Sequence, residues 1–218
     1  MDPLQHRATS SDADREYAFS LTGQFEGSSF SALQTKDAGI VSYGRHQATL
    51  ASGSLEEVLR RYTSNSQNEL ALGLKSYLPR VDAQDQTLRD DQPFLKLLRL
   101  AGTDPEMQQA QTETFADLYW KPALQTAEKL GIESSLGKAI LFDTQVQGGI
   151  NSISKQLVGE PEFKTTDEKA RLTRFLELRK SYLERIADRK ESADDFVTAK
   201  YLRNSVSNRL GKLKRLLP

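Results

Sequence analysis

The chain has 218 residues, 30 basic and 30 acidic side chains that cancel, no cysteine and two histidines. That composition excludes disulfides, a zinc–thiolate site and a thiol nucleophile. His6 and His46 are too few for a histidine-rich metal centre, and the balanced charge offers no field to gather nucleic acid or an anionic membrane. No apolar run approaches the ~20 residues a spanning helix needs. The start, Met1-Asp2-Pro3-Leu4-Gln5-His6-Arg7, lacks the basic-then-apolar order of a secretory signal. Synthesis in the cytoplasm without a signal peptide is therefore expected, with export by another route or as one domain of a larger protein. The length allows one sizeable core or two small lobes.

Residues 1–12 read as a polar, disordered lead-in, and residues 13–218 as a single catalytic domain. Ala18, Leu21 and Phe25 share helical spacing in a first helix that Gly27 stops. Thr35 to Leu50 alternates and turns like a small β-hairpin. Ser54-Leu55-Glu56-Glu57 resembles a capping box with Ser54 as cap, opening a helix through Tyr62. Helical patterns over 67–101 break at Pro79 and before Pro93. Thr103-Asp104-Pro105-Glu106 starts a helix that runs to Leu130, with a kink near Pro122 and a stop at Gly131. Ser135 to Val146 is the candidate central helix, and residues 166–190 form a long amphipathic one. Two shorter helices finish the chain. The predicted fold class is mainly α (α+β): two helical lobes, a small β-hairpin and a substrate cleft between the lobes.

Glu26 at the end of the first helix lies eleven residues before Asp37 on the hairpin. Glycoside hydrolysis needs such a pair, one protonated carboxyl to donate to the leaving oxygen and one carboxylate to activate water. The negative end of a helix dipole and partial burial beside Phe25 and Phe30 would keep Glu26 protonated, as an acid requires. Asp37 is the expected base and Ser42 the holder of the attacking water. A plain turn at Lys36-Asp37-Ala38-Gly39 and a solvated Glu26 are the alternatives. Tyr43, Arg45, His46 and Gln47 follow the turn and are candidate substrate contacts, although a lone His is more often a packing residue. Trp120 with Tyr119 offers a stacking platform, but core packing fits their spacing better. The basic tail from Arg203 to Arg215 reads equally as a solvated face or as a contact for an anionic polymer.

The order Glu-(spacer)-Asp-x-x-x-x-Ser-x-Gly resembles the catalytic core of the lysozyme superfamily, and most of all the glycoside hydrolase family 46 chitosanases, with phage-type lysozymes further off. Ala139-Ile140-Leu141-Phe142-Asp143-Thr144-Gln145-Val146-Gln147-Gly148-Gly149 is similar to that family's central helix, with Gln147 where a His is usual. Phe175-Leu176-Glu177-Leu178-Arg179 is similar to its late-helix motif. The likeness spans about residues 18–205. It implies a glycoside hydrolase of lysozyme-like fold, an ion pair between Asp143 and Arg179 near Glu26, and a substrate contact at Gln147. A water seated between the two carboxyls would make the outcome inverting, and two carboxylates suffice without a cofactor or metal.

Ser42-Tyr43-Gly44-Arg45-His46-Gln47 holds no acidic residue, whereas a cleft for the polycation chitosan should be lined with carboxylates. The expected substrate is therefore peptidoglycan, cut as by a muramidase. The protein would act on the bacterial cell wall, in the periplasm after delivery or lysis, as an endolysin or antibacterial toxin. In the toxin case an immunity protein and delivery machinery would be its partners. A chitosanase is the alternative, and a non-catalytic glycan-binding module the third reading.

Overall fold

The computed structural model of the chain describes the backbone of residues 10–26 and 29–217, and the side chains of residues 12–23 and 29–217. Gly27, His6 and the lead-in up to residue 9 lie outside the described residues, as does the side chain of Glu26. The first helix, α1 (Ser10–Glu26), begins inside the stretch read as lead-in. The chain divides into two compact units, residues 23–118 and the remainder.

The first unit carries a small antiparallel sheet in place of a two-stranded hairpin. Strands β1 (Leu33–Gln34), β2 (Ser42–Tyr43) and β3 (Ala48–Thr49) pair in the order β1-β2-β3. Leu33 faces Tyr43 and Gln34 faces Ser42, while Tyr43 also faces Ala48. Five α-helices follow: α2 (Ser54–Asn65), α3 (Glu69–Lys75), α4 (Leu78–Asp82), α5 (Gln92–Ala101) and α6 (Pro105–Phe115), with a short 3-10 turn at Gln86–Arg89 before α5. Their entries obey local chemistry. Asn68, Asp91 and Asp104 cap α3, α5 and α6 by accepting from Ala71, Phe94 and Glu106 N–H groups. One expected cap is overturned: Ser54 is the first residue of α2, and Gly53 precedes it in the left-handed region at φ 81°. The Ser54 hydroxyl instead accepts from the Thr49 N–H at 2.8 Å, tying β3 to the helix. Strand demand for an acceptor outcompetes the helix end. The core of this unit is built from Val41, Tyr43, Leu50, Leu55, Leu59, Tyr62, Leu74, Phe94 and Leu98, all essentially inaccessible.

The second unit is helical: α7 (Lys121–Leu130), α8 (Ser135–Gln147), α9 (Ile150–Val158), α10 (Glu168–Ser192), α11 (Phe196–Asn204) and α12 (Gly211–Leu216). Helix α9 was not foreseen. The expected kink near Pro122 is a π-helical turn over Ala116–Trp120. Pro122 has no N–H to offer the preceding turn, and the wider turn absorbs the loss. Gly131 ends α7 at φ 61°, as expected of a helix stop. Helix α8 is buried over Ala139-Ile140-Leu141-Phe142-Asp143-Thr144, apolar on more than one face, which makes it central. Trp120 is buried against Phe19 and Phe142, its ring edge-on at 6.5 and 5.8 Å, so it is core and not a sugar platform.

Candidate active site

Asp37 lies in the connection between β1 and β2 with its carboxylate exposed. The Ser42 hydroxyl, 2% exposed, donates to it, lying 2.8 Å from one oxygen and 3.0 Å from the other. The Gly39 N–H donates to Asp37 Oδ1 at 3.0 Å. The one Ser42 proton is directed at Asp37, so the hydroxyl orients the carboxylate while its lone pairs remain for the expected water. Gly39 is required here. A Cβ on it would lie 2.5 Å from the Ser42 hydroxyl and 2.8 Å from Thr49 Cγ2. The same connection holds Ile40 at φ 69°, a left-handed conformation costly for a β-branched residue. The Asp37–Gly39 turn and the bond from the Val41 N–H to the Gly39 carbonyl (2.8 Å) fix it there.

The residues expected to contact substrate after the turn divide. Tyr43 is wholly buried in the core, which contradicts its expected place on a groove. His46 is also buried, stacked on Phe115 of α6 with ring centroids 3.9 Å apart. Burial, then the neighbouring Arg45 charge, pushes His46 down to about 3, so it is a neutral packing ring at ordinary pH. The cavity they share with Gln111 has a volume of about 10 Å³, room for one water and not for a sugar. Two-residue strands closed by a tight turn leave little of this run on the surface. Only Arg45 and Gln47 are half-exposed. The Arg45 guanidinium sits 5.6 Å from the Phe30 ring centre. Gln47, at φ 51°, donates from its amide to the Gly44 carbonyl at 2.8 Å. Because Ser42, Tyr43, Gly44 and His46 are interior, the lack of carboxylates in this run says nothing about what a groove prefers.

Asp143 on α8 forms the ion pair with Arg179 of α10, at 2.7 Å, and the structure adds a second arginine. Arg209 spans both oxygens through Nε at 2.9 and 3.0 Å, and its Nη2 reaches Oδ1 at 2.5 Å. Thr22 completes the shell at 3.3 Å. Burial alone would push this carboxyl up, but the two guanidiniums outweigh it and hold Asp143 below the ordinary carboxylate range. Gln147 belongs to the same cluster. Its carbonyl oxygen accepts from Arg179 at 2.8 Å and from Ser205 at 3.1 Å, so that oxygen braces an arginine.

Two residues of this description were missed in the sequence, Arg209 and Gln111. Both left a signal. Ser205, Arg209 and Leu213 repeat every four residues and are buried. Gln111 shares the buried face of α6 with Met107, Ala110, Thr114 and Phe115. A polar residue in an apolar row needs a buried partner. Among the described residues no group of three or more His, Asp or Glu could hold a metal ion, and no helix is long and apolar enough to cross a membrane.

This geometry has relatives. A chitosanase of Bacillus subtilis (strain 168) is 30% identical over 151 residues, 62% of this chain and 53% of its own length, so the match spans about half of that protein. The native chitosanase from Bacillus subtilis MY002 superposes with a TM-score of 0.67 at 26% identity, covering 92% of this chain and 91% of its own. A Gynuella sunshinyii family 46 chitosanase in complex with chitotetraose has the same fold, with a TM-score of 0.74 at 24% identity over 94% of this chain and 88% of its own. Residues 31–214 match the model of glycosyl hydrolase family 46, and the chain belongs to that family.

Proposed function

We propose that the protein is a chitosanase, hydrolysing β-1,4 bonds of chitosan with inversion. Glu26 is the acid: its proton goes to the leaving glycosidic oxygen as the C–O bond breaks. Asp37 is the base: it takes a proton from water as the water oxygen bonds to the anomeric carbon. Ser42 and the Gly39 N–H hold Asp37 in the orientation this requires. The observation that carries the reading is this exposed, doubly supported carboxylate within the region that matches family 46.

Support for chitosan over peptidoglycan comes from relatives described as chitosanases. The interior position of most of residues 42–47 also removes the argument that favoured peptidoglycan. An immunity protein and a delivery route belong only to the peptidoglycan reading.

The test is product mass and reducing-end release from chitosan, beside turbidity loss on purified peptidoglycan, for wild type and Glu26→Gln. The expected result is glucosamine oligomers from chitosan, with the variant slower by ~10²–10⁴-fold because an amide cannot donate the proton. Muropeptides alone would restore the muramidase reading. Silence on both polymers would leave a glycan-binding module.

A further inference from the structure

Gln111 lies on α6, remote in sequence from both carboxyls and 4% exposed. Its amide makes two hydrogen bonds to backbone, one on each side of Asp37. The Nε2 donates to the Phe30 carbonyl at 3.0 Å, four residues beyond Glu26. The Oε1 accepts from the Arg45 N–H at 3.1 Å, three residues beyond Ser42. Both partners are main-chain groups in irregular or turn backbone, which the three short strands do not themselves satisfy. A third observation meets at the same place. Gly44, at φ 81°, presses on this amide so closely that a Cβ there would lie 2.1 Å from Gln111 Oε1. The Gly44 N–H donates to the Ala32 carbonyl at 2.8 Å, closing the ring of contacts between the two segments.

We infer that Gln111 is a positioning residue for hydrolysis. It is a buried strut that joins the segment following Glu26 to the turn that follows the strand carrying Ser42, and so holds the spacing between acid and base. The inference rests on the assignment of Glu26 and Asp37 proposed above. Inverting hydrolysis needs the carboxyls ~6.5–9.5 Å apart with a water between them, a tolerance that two-residue strands cannot guarantee unaided. Leu, Met or Glu at this position would fill similar space, but only an amide both donates to Phe30 and accepts from Arg45 at neutral pH.

Two variants test this. Gln111→Met keeps length and volume and loses both bonds. Gln111→Glu keeps the acceptor for Arg45 and, when ionised, sets an oxygen without a proton against the Phe30 carbonyl. Once protonated, it can donate to Phe30 again. For both, kcat and KM on chitosan are measured from pH 4 to pH 8, with amide hydrogen exchange over residues 29–50 and the thermal midpoint alongside. The expected result is kcat lowered at least ~10-fold with KM within ~2-fold for Gln111→Met at every pH, the scale of a small misplacement of reacting groups. For Gln111→Glu the deficit should shrink as pH falls, and faster exchange should be confined to residues 29–50. Wild-type kcat in Gln111→Met, or a deficit in Gln111→Glu that does not vary with pH, would overturn the inference. Wild-type protein inert on chitosan would instead sink the functional reading. Exchange at Arg45 unchanged in both variants would dispose of the strut itself, whatever the substrate.

Discussion

Two aspartates, one in each unit, are treated in opposite ways. Asp143 is fully buried and saturated: two arginines, a threonine and a central helix surround it. Asp37 is exposed, and among the described residues a serine hydroxyl and one backbone N–H hold it. The contrast separates two uses of a carboxylate. A buried one neutralised by arginines is a fixed charge that locks helices together. An exposed one held from behind by a single turn keeps lone pairs for a water. Both sit in recognisable motifs, so motif alone does not tell them apart; the number and kind of donors does.

The largest effect that would break the comparison is at Asp143. Asp143→Asn removes the buried carboxylate that Arg179 and Arg209 share, and should cost about 3–5 kcal/mol of stability, read as a drop in the urea midpoint. An unchanged midpoint would mean the cluster is not structural. Next comes Ser42→Ala, which removes the donor to Asp37. Activity on chitosan should drop ~10-fold or more while stability changes by about 1 kcal/mol, the net worth of a typical hydrogen bond. Equal losses in rate and stability would deny the hydroxyl its orienting role. Gly39→Ala approaches the same hydroxyl sterically and should act in the same direction, with about 1–3 kcal/mol of overpacking added.

The smallest effect sharpens the picture of the strand run. His46 is held down to about 3 from 6.5 by burial and Arg45. Below about pH 6.5 the unfolded chain binds a proton that the folded chain refuses until about pH 3. Wild-type stability, compared with His46→Gln, should therefore be level above that window and fall progressively as pH is lowered through it. A flat difference across the window would mean the ring takes its proton without unfolding, and is more open than its stacking on Phe115 implies.

Much of the architecture was legible because helix signals are local. Asp104-Pro105, Gly131 and the four-residue rhythm of α10 each act through their immediate neighbours, and the structure has helices beginning and ending there. The pairing of Asp143 with Arg179 was also legible, from a charge placed on an apolar helix and a resemblance that supplied the partner. Other features were not. Ser54 has the local pattern of a cap, yet its hydroxyl goes to β3, because a strand N–H arriving from five residues away competes for it. Tyr43 and His46 follow a turn, where exposure is the usual fate, but strands this short bring them straight into the core.

What the sequence by itself determined is the set of elements and the chemical types at hand: mainly helix, one strand-rich segment, and acids at Glu26, Asp37 and Asp143. Periodicity and capping are short-range, so the order of residues carries them. What only the tertiary structure decided is which polar group meets which. That Ser42 donates to Asp37, that Arg209 joins Arg179, and that the Gln111 amide spans Phe30 and Arg45 depend on groups up to 81 residues apart. Hydrogen bonds are directional and saturable, so their partners are chosen only when packing has brought the donors and acceptors together.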